Sequence, residues 1–297
     1  MAERLHDVGR GIELCAEAFG DPADPPLLLV MGLGMQMVRW HESLVERFTS
    51  RGLYVIRFDN RDSGRSTFCS DVPPPTLAQL ARRRFDPRQY RLADMAADTA
   101  GLLDALGLDS VHVVGASMGG MIAQTLAAEH PRRVRSLVSV MSSTGSRWSG
   151  QPALRTYPVI LGRAPRDLDG YLAQQVRVHA AIGSPGVPPD DPLFVEIARR
   201  SFERNPDTRG TARQLAAILA SGDRTRQLHR ISAPTLVIHG DRDRMISPSG
   251  GRATARAIPD AELHMVPGMG HDIPRVNWPE VVGSIVHHIR GAEAARA

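Results

Sequence analysis

An α/β fold is predicted for this chain: a mostly parallel sheet flanked by helices, with a helical insertion. Three observations carry the prediction. Apolar or β-branched runs near 27–30, 54–58, 110–114, 134–140 and 235–240 alternate with helix-like stretches, the rhythm of parallel strands joined by crossover helices. Between Gly145 and Arg230 that rhythm gives way to helical patches separated by Pro and Gly clusters, and it resumes after Pro234. One strand run, Val111-His112-Val113-Val114, passes directly into Gly115-Ala116-Ser117-Met118-Gly119 and then into a helix pattern. With 297 residues, 42% of them hydrophobic, the chain can bury a large core. Residues 1–144 and 231–297 are therefore expected to form that core, and residues 145–230 a helical cap.

Taken in order, strands are expected near 4–8 and 12–18 and again over Leu27–Val30. A helix from Trp40 to Ser50 and the strand Tyr54–Phe58 follow. Val72–Arg91 is Pro-rich and expected to be irregular, whereas Leu92–Leu106 reads as a helix closed by Gly107. After the strand at 110–114, a helix over 118–130 places Met121, Ile122, Thr125 and Leu126 on one face, with Pro131 just past its end. Val134–Val140 is the next strand. The helical patches of the insertion are Leu168–Ala181, Leu193–Glu203 and Thr211–Ala220. Strands at Thr235–Gly240 and Ala261–Val266 and a helix over Pro279–Ile289 complete the chain.

G-x-S-x-G between a strand and a helix is the pattern of a nucleophile elbow. A serine hydroxyl is a poor nucleophile; a sharp turn exposes it to a histidine and faces the helix N-terminus toward developing negative charge. Gly115 and Gly119 suit the turn because side chains there would collide across it. Two later loops supply partners for Ser117. Asp243 stands just beyond the strand Thr235–Gly240 as G-x-x-D, and His271 ends Gly268-Met269-Gly270-His271 beyond the strand ending at Val266. An aspartate accepting the proton on one imidazole nitrogen fixes the tautomer and frees the other nitrogen to take the serine proton. Asp241 is the competing acid, placed second because it lies close to the strand end; Asp272 adjoins His271 but is expected to point away. His112 and His239 fall in strand patterns, where packing or backbone partners account for them, and His287 and His288 fall on the last helix. An oxyanion needs two backbone N–H donors. Met118 supplies one as the residue after the nucleophile, and Leu33, in the glycine-rich turn Met31-Gly32-Leu33-Gly34, is assigned the second. Ser117, Asp243, His271 and Leu33 each follow a predicted parallel strand, the edge where open α/β sheets gather their ligands.

These residues carry a resemblance. Leu29-Val30-Met31-Gly32, the run Phe58-Asp59-Asn60-Arg61-Asp62-Ser63-Gly64-Arg65-Ser66, the elbow, Gly240-Asp241-Arg242-Asp243 and Gly268-Met269-Gly270-His271 together resemble α/β-hydrolase-fold serine esterases. Across almost the whole chain they are most similar to the aclacinomycin methylesterase-like branch, and the chain order Ser, Asp, His agrees with that fold. The resemblance implies hydrolysis of a carboxylic ester, the methyl ester of a polyketide being one candidate, through Ser117, Asp243 and His271 with Leu33 and Met118 as amide donors. No cofactor or metal is implied. Two departures stand out: Met31 replaces the usual histidine of a His-Gly turn, and Asp62 occupies a position more usually glycine. Asp59 and Arg61 are expected to brace neighbouring loops.

Composition narrows the function further. No lysine occurs, so all 36 basic residues are arginine, against 32 acidic ones. The excess is concentrated in the insertion: between Gly145 and Arg230 there are 13 Arg and 8 Asp plus Glu. That charge reads either as attraction for anions or as solvated helix faces whose Arg stems cover apolar surface. No aromatic-interleaved basic stripe or zinc-ligand spacing points to nucleic acid or metal, and the expected partner is a small-molecule ester. Cys15 and Cys69 make no disulfide framework and are expected to be free thiols in a reducing, cytoplasmic compartment. The first residues, Met1-Ala2-Glu3-Arg4-Leu5-His6-Asp7, carry charges where a signal peptide needs an apolar run. Met35, Met37, Met121, Met141, Trp148, Tyr157 and Phe202 could line an adaptable apolar pocket or simply fill the core. The same triad could pass an acyl group to peroxide, as in cofactor-free haloperoxidases and perhydrolases. The fold also serves as a non-catalytic binding scaffold, a reading the intact triad argues against.

Overall fold

The computed structural model describes residues 2–156, 158 and 167–296, so Tyr157 lies outside the described residues. Eight strands form one sheet: β1 (Arg4–Asp7), β2 (Glu13–Phe19), β3 (Pro26–Val30), β4 (Tyr54–Phe58), β5 (Val111–Ala116), β6 (Val134–Val140), β7 (Thr235–Gly240) and β8 (Glu262–Val266). Their order is β1-β2-β4-β3-β5-β6-β7-β8, antiparallel from β1 to β4 and parallel thereafter. Every residue of β3, β4, β5 and β7 is buried, which is why these strands read as near-continuous apolar runs and not as alternating ones.

Helices cover both faces. On one side α3 (Leu92–Ala105) and α4 (Met118–Glu129) bury Met95, Leu102, Ile122 and Leu126 against Leu28, Ile56 and Val113. On the other, α1 (Glu42–Thr49) and the last helix pack Leu44, Phe48, Val282 and Ile285 against Leu27, Val55 and Val114. Arg57 on β4 is a fully buried charged residue of this core. It is tolerated because Glu17 and Glu42 both accept from its guanidinium, with Glu17 Oε1 2.8 Å from Nε.

Between β4 and β5 lies a short helix, α2 (Leu77–Arg82), inside the stretch expected to be irregular. Thr76 and Gln79 form a capping box that starts it, and Arg83 ends it in the left-handed conformation. The first long helix begins at Glu42, not Trp40. Met37–Arg39 form a 3-10 turn, and His41 caps α1 by accepting from Ser43 N (3.2 Å). Between β6 and β7 come α5 (Leu168–Ile182), α6 (Pro192–Arg204), α7 (Arg209–Ser221) and the brief α8 (Thr225–Leu228). Asp167 and Asp191 supply the N-caps of α5 and α6, with Pro192 at the first position of α6. Another helix, α9 (Ser249–Ala257), was not legible in a Gly-rich run. Its Gly251 lies so close to His239 that a Cβ would stand 2.6 Å from the ring Nδ1. The closing helix, α10 (Trp278–Ala294), runs past the expected end at Ile289.

Among the described residues no helix is long and apolar enough to cross a membrane. Both cysteines are free, Cys15 buried on β2 and Cys69 in a loop. Met37, Met121 and Met141 belong to the core, Phe202 pairs with Tyr171 at 5.4 Å between ring centroids, and Trp148, 94% exposed, lines neither core nor pocket.

His112, buried in β5, has partners of its own: Ser136 Oγ at 2.8 Å and Glu293 of α10 at 3.1 Å. Burial, opposed in part by Glu293, pushes its pKa down to about 4 from an ordinary 6.5. The unfolded chain therefore takes up this proton first as the pH falls. Its contribution to stability is expected to be undiminished above about pH 6.5 and to be lost progressively between there and about 4. Unfolding temperatures of wild type and His112→Gln across that window check this; parallel curves would remove His112 as the cause.

Candidate active site

The turn from β5 into α4 forces Ser117 to φ 56° and ψ −119°, a conformation that costs a non-glycine residue about 1–3 kcal/mol. What holds it there is the surrounding backbone: Ser117 N donates to Val140 O (2.9 Å), and Ser142 Oγ donates to Ser117 O (2.8 Å). The flanking glycines are required by space. A Cβ at Gly115 would lie 2.2 Å from Gly119 O, and one at Gly119 would lie 2.1 Å from Val30 O.

The structure brings together the three residues singled out in the sequence. His271 Nε2 lies 3.0 Å from Ser117 Oγ, and His271 Nδ1 lies 2.8 Å from Asp243 Oδ2. Asp243 has no exposed side-chain surface, and its other oxygen accepts from Met245 N and Ile246 N, both at 2.9 Å. Because an ionised carboxylate only accepts, the proton of the His271–Asp243 bond belongs to Nδ1, which leaves Nε2 as an acceptor toward the serine. Asp241 plays a different part. It is 42% exposed on its side chain and accepts from Gly268 N at 2.7 Å, tethering the loop that carries His271. His239 donates from Nε2 to Ile246 O (2.9 Å), the backbone partner its strand position suggested; burial pushes its pKa below the ordinary value although Asp243 Oδ2 is 3.5 Å away.

Leu33 belongs to a turn pressed against Ser117: a Cβ on Gly32 would stand 3.1 Å from Ser117 Cβ. The turn is fixed at several points. Asn60 Nδ2 donates to Met31 O (2.9 Å), Ser63 Oγ to Met35 O (2.9 Å), and Gly34 N to Gln214 Oε1 of α7 (2.8 Å). Asp59 accepts from Met37 N at 2.7 Å, and Arg61 forks onto Asp98 at 2.5 and 2.6 Å, the bracing roles expected of them. Neither Leu33 N–H nor Met118 N–H donates to an acceptor among the described residues; Met118 follows Ser117 in the chain and Leu33 follows Gly32, which packs on it.

Asp62 explains its own departure from glycine. Its φ is 64°, a left-handed position that aspartate tolerates better than most residues, and its fully buried carboxylate binds Arg213 (2.8 and 2.5 Å) and the Tyr90 hydroxyl (2.8 Å). Arg204 likewise reaches Asp59 and Glu3 (both 2.9 Å), and Arg200 reaches Glu42 (2.7 Å). Three of the insertion's thirteen arginines thus fasten it to core carboxylates, a use that neither sequence-level reading of that charge contained.

Further residues of the site carried no sequence signal. His271 N donates to Ile182 O at the end of α5 (2.8 Å), and Gly270 N donates to Ser184 Oγ (2.8 Å). Asp272 turns to Ser184 and His179 and not to Ser117 or Asp243, as expected. It accepts from Ser184 N (2.9 Å) and Ser184 Oγ (2.5 Å) and lies 3.1 Å from His179 Nε2. The loop bearing His271 is therefore clamped by the insertion.

A strand-end serine, histidine and aspartate on a mostly parallel sheet define a class, and comparison agrees. The α/β hydrolase fold family matches residues 25–274, and the chain belongs to that family; it is an enzyme, a hydrolase of the esterase type. It is similar to rhodomycin D methylesterase of Streptomyces peucetius, 29% identical with 95% of this chain and 96% of that protein covered. It is also similar to the poly(3-hydroxyalkanoate) depolymerase of Ectopseudomonas oleovorans, 30% identical over 94% of this chain and 88% of that protein. The solved enol-lactonase of Burkholderia xenovorans LB400 shares the fold, with a TM-score of 0.76 at 22% identity, covering 96% of this chain and 99% of that one.

Proposed function

We propose that the chain hydrolyses a small or medium apolar carboxylic ester through an acyl-enzyme on Ser117. The observation that carries this is the unbroken relay from Asp243 through His271 to Ser117, at 2.8 and 3.0 Å. As Ser117 Oγ attacks the ester carbonyl, its proton passes to His271 Nε2, and Asp243 stabilises the imidazolium. The oxyanion lies between the amides of Leu33 and Met118, where the N-terminus of α4 adds its positive end. His271 returns the proton to the departing alcohol; water, deprotonated by His271, then attacks the acyl-enzyme, and Ser117 regains its proton as the acid leaves. Residues 145–230 act as a cap over the core of 1–144 and 231–297, binding the parts of the substrate remote from the carbonyl. Likeness to a rhodomycin D methylesterase favours a methyl ester, with a polyketide acid as the candidate acyl part. The free thiols Cys15 and Cys69 favour a cytoplasmic, reducing compartment.

The test is a panel of methyl and p-nitrophenyl esters of graded acyl size, run beside fluorophosphonate labelling. Hydrolysis with stoichiometric label on Ser117 is the expected result. No labelling and no turnover across the panel would replace an esterase by a binding scaffold, and turnover only with peroxide present would make it a perhydrolase.

A further inference from the structure

Arginines at the boundary between the insertion and the core follow one rule in this protein: each guanidinium has acceptors. Arg204 has Glu3 and Asp59, Arg213 has Asp62, Arg200 has Glu42, and Arg224 donates to the carbonyls of Met121 and Ser143 and to Gln124. Arg39 breaks the rule. It ends the 3-10 turn that follows the Leu33 loop and is half-buried, yet its side chain makes no hydrogen bond or ion pair with any described residue. Its contact is with Phe194 of α6, whose ring centroid lies 4.4 Å from the guanidinium carbon. None of its nitrogens is sealed from solvent, whereas Arg224 Nε is.

Its position relates it to the reacting atoms. Phe194 lies 4.3 Å, centroid to centroid, from the ring of His179; His179 Nε2 lies 3.1 Å from Asp272, and Asp272 adjoins His271. Arg39 is thus a short relay of side chains away from Ser117, on the side covered by α5 and α6. Stacking on Phe194 covers one face of the guanidinium and leaves its N–H edge open, the presentation that suits a bidentate carboxylate. Burial lowers its pKa against the smaller opposing pull of Tyr171 and Asp272; a guanidinium nonetheless stays charged at neutral pH. This is a partly desolvated cation with no carboxylate at contact distance among the described residues; Asp272 acts on it only through space.

We infer that Arg39 binds an anionic group of the substrate, and that the esters this enzyme takes carry a second, ionised carboxylate at some distance from the scissile bond. The inference rests on the ester-hydrolase reading of Ser117 and its partners and narrows its substrate class, placing an ionised group on an acyl part otherwise apolar. Relative to a neutral ester of equal length, such a half-ester gains a charge-assisted contact remote from the carbonyl, and the gap between Arg39 and Ser117 selects its chain length.

The test compares monomethyl esters of linear dicarboxylic acids of graded length with neutral methyl esters of the same lengths, in wild type, Arg39→Gln and Arg39→Lys. In wild type, kcat/KM is expected to favour the half-ester by tenfold or more at one length. That ratio should fall by at least tenfold in Arg39→Gln and be partly kept in Arg39→Lys. A wild type that prefers neutral esters at every length, or an Arg39→Gln variant that slows both series in equal proportion, would overturn the proposal; the second result assigns Arg39 to packing on Phe194. Calorimetric binding of monomethyl adipate to Ser117→Ala protein, with and without Arg39→Gln, separates this from the esterase reading. Arg39-dependent binding together with a wild type that turns over no ester of either series keeps the anion site and defeats the esterase. Turnover of neutral esters with no Arg39-dependent binding does the reverse.

Discussion

Ser117→Ala is expected to lower kcat on any ester substrate by at least about 10⁴, because the members of a triad act as a unit and removing the nucleophile leaves only the oxyanion donors and binding. The fold should survive. The strained φ of 56° is held by Ser117 N to Val140 O and by Ser142 Oγ to Ser117 O, contacts to the main chain of residue 117 that alanine keeps. Steady-state kinetics on purified protein, with an unfolding curve alongside, checks both halves. A variant retaining a tenth of the wild-type rate would sink the assignment of the elbow.

Asp243→Asn is expected to cost roughly 10³–10⁴ in kcat, and Asp241→Asn about tenfold or less. The reason lies in which oxygen does what. Met245 N and Ile246 N donate to Asp243 Oδ1, so an asparagine there keeps its carbonyl oxygen on those amides and turns its NH₂ toward His271 Nδ1. Nδ1 then has to accept, the proton moves to Nε2, and the imidazole can no longer take one from Ser117. Asp241 accepts from Gly268 N, which asparagine also offers, and its ion pair with Arg242 is an exposed one at 3.8 Å. Measured side by side, the two variants rank the acids, and the reverse order would move the triad acid to Asp241.

Much of the scaffold was legible because it is written in local patterns. The buried parallel strands announce themselves as apolar runs. α4 shows its apolar face between Gly119 and Pro131, and the loops that carry Ser117, Asp243 and His271 are marked by glycines just past strand ends. Where local signals were weak or misread, boundaries moved. Trp40 looks like the start of a helix, but it is a buried core residue after a 3-10 turn, and His41 does the capping. The capping box of α2 was present in Thr76 and Gln79 but overshadowed by neighbouring prolines. α9 hid because its glycines, poor helix formers, are kept for close packing, Gly251 against His239 and Gly250 against Ile246 and Gly150.

By itself the sequence determined the order of the strands, the turn that strains Ser117 and the strand ends that bear Asp243 and His271, since all of these depend on neighbours a few positions apart. Only the tertiary structure decided which of two aspartates two residues apart meets His271, because both share one loop and differ only in where that loop aims them. It alone revealed that Ser184 grips Asp272 from 88 positions away and that Arg213 grips Asp62 from 151. Such pairings leave no periodic trace. They arise when the packing of α5–α7 on the core brings distant charges within hydrogen-bond reach, and the same packing leaves Arg39 stacked on Phe194 with no hydrogen bond or ion pair to a described residue.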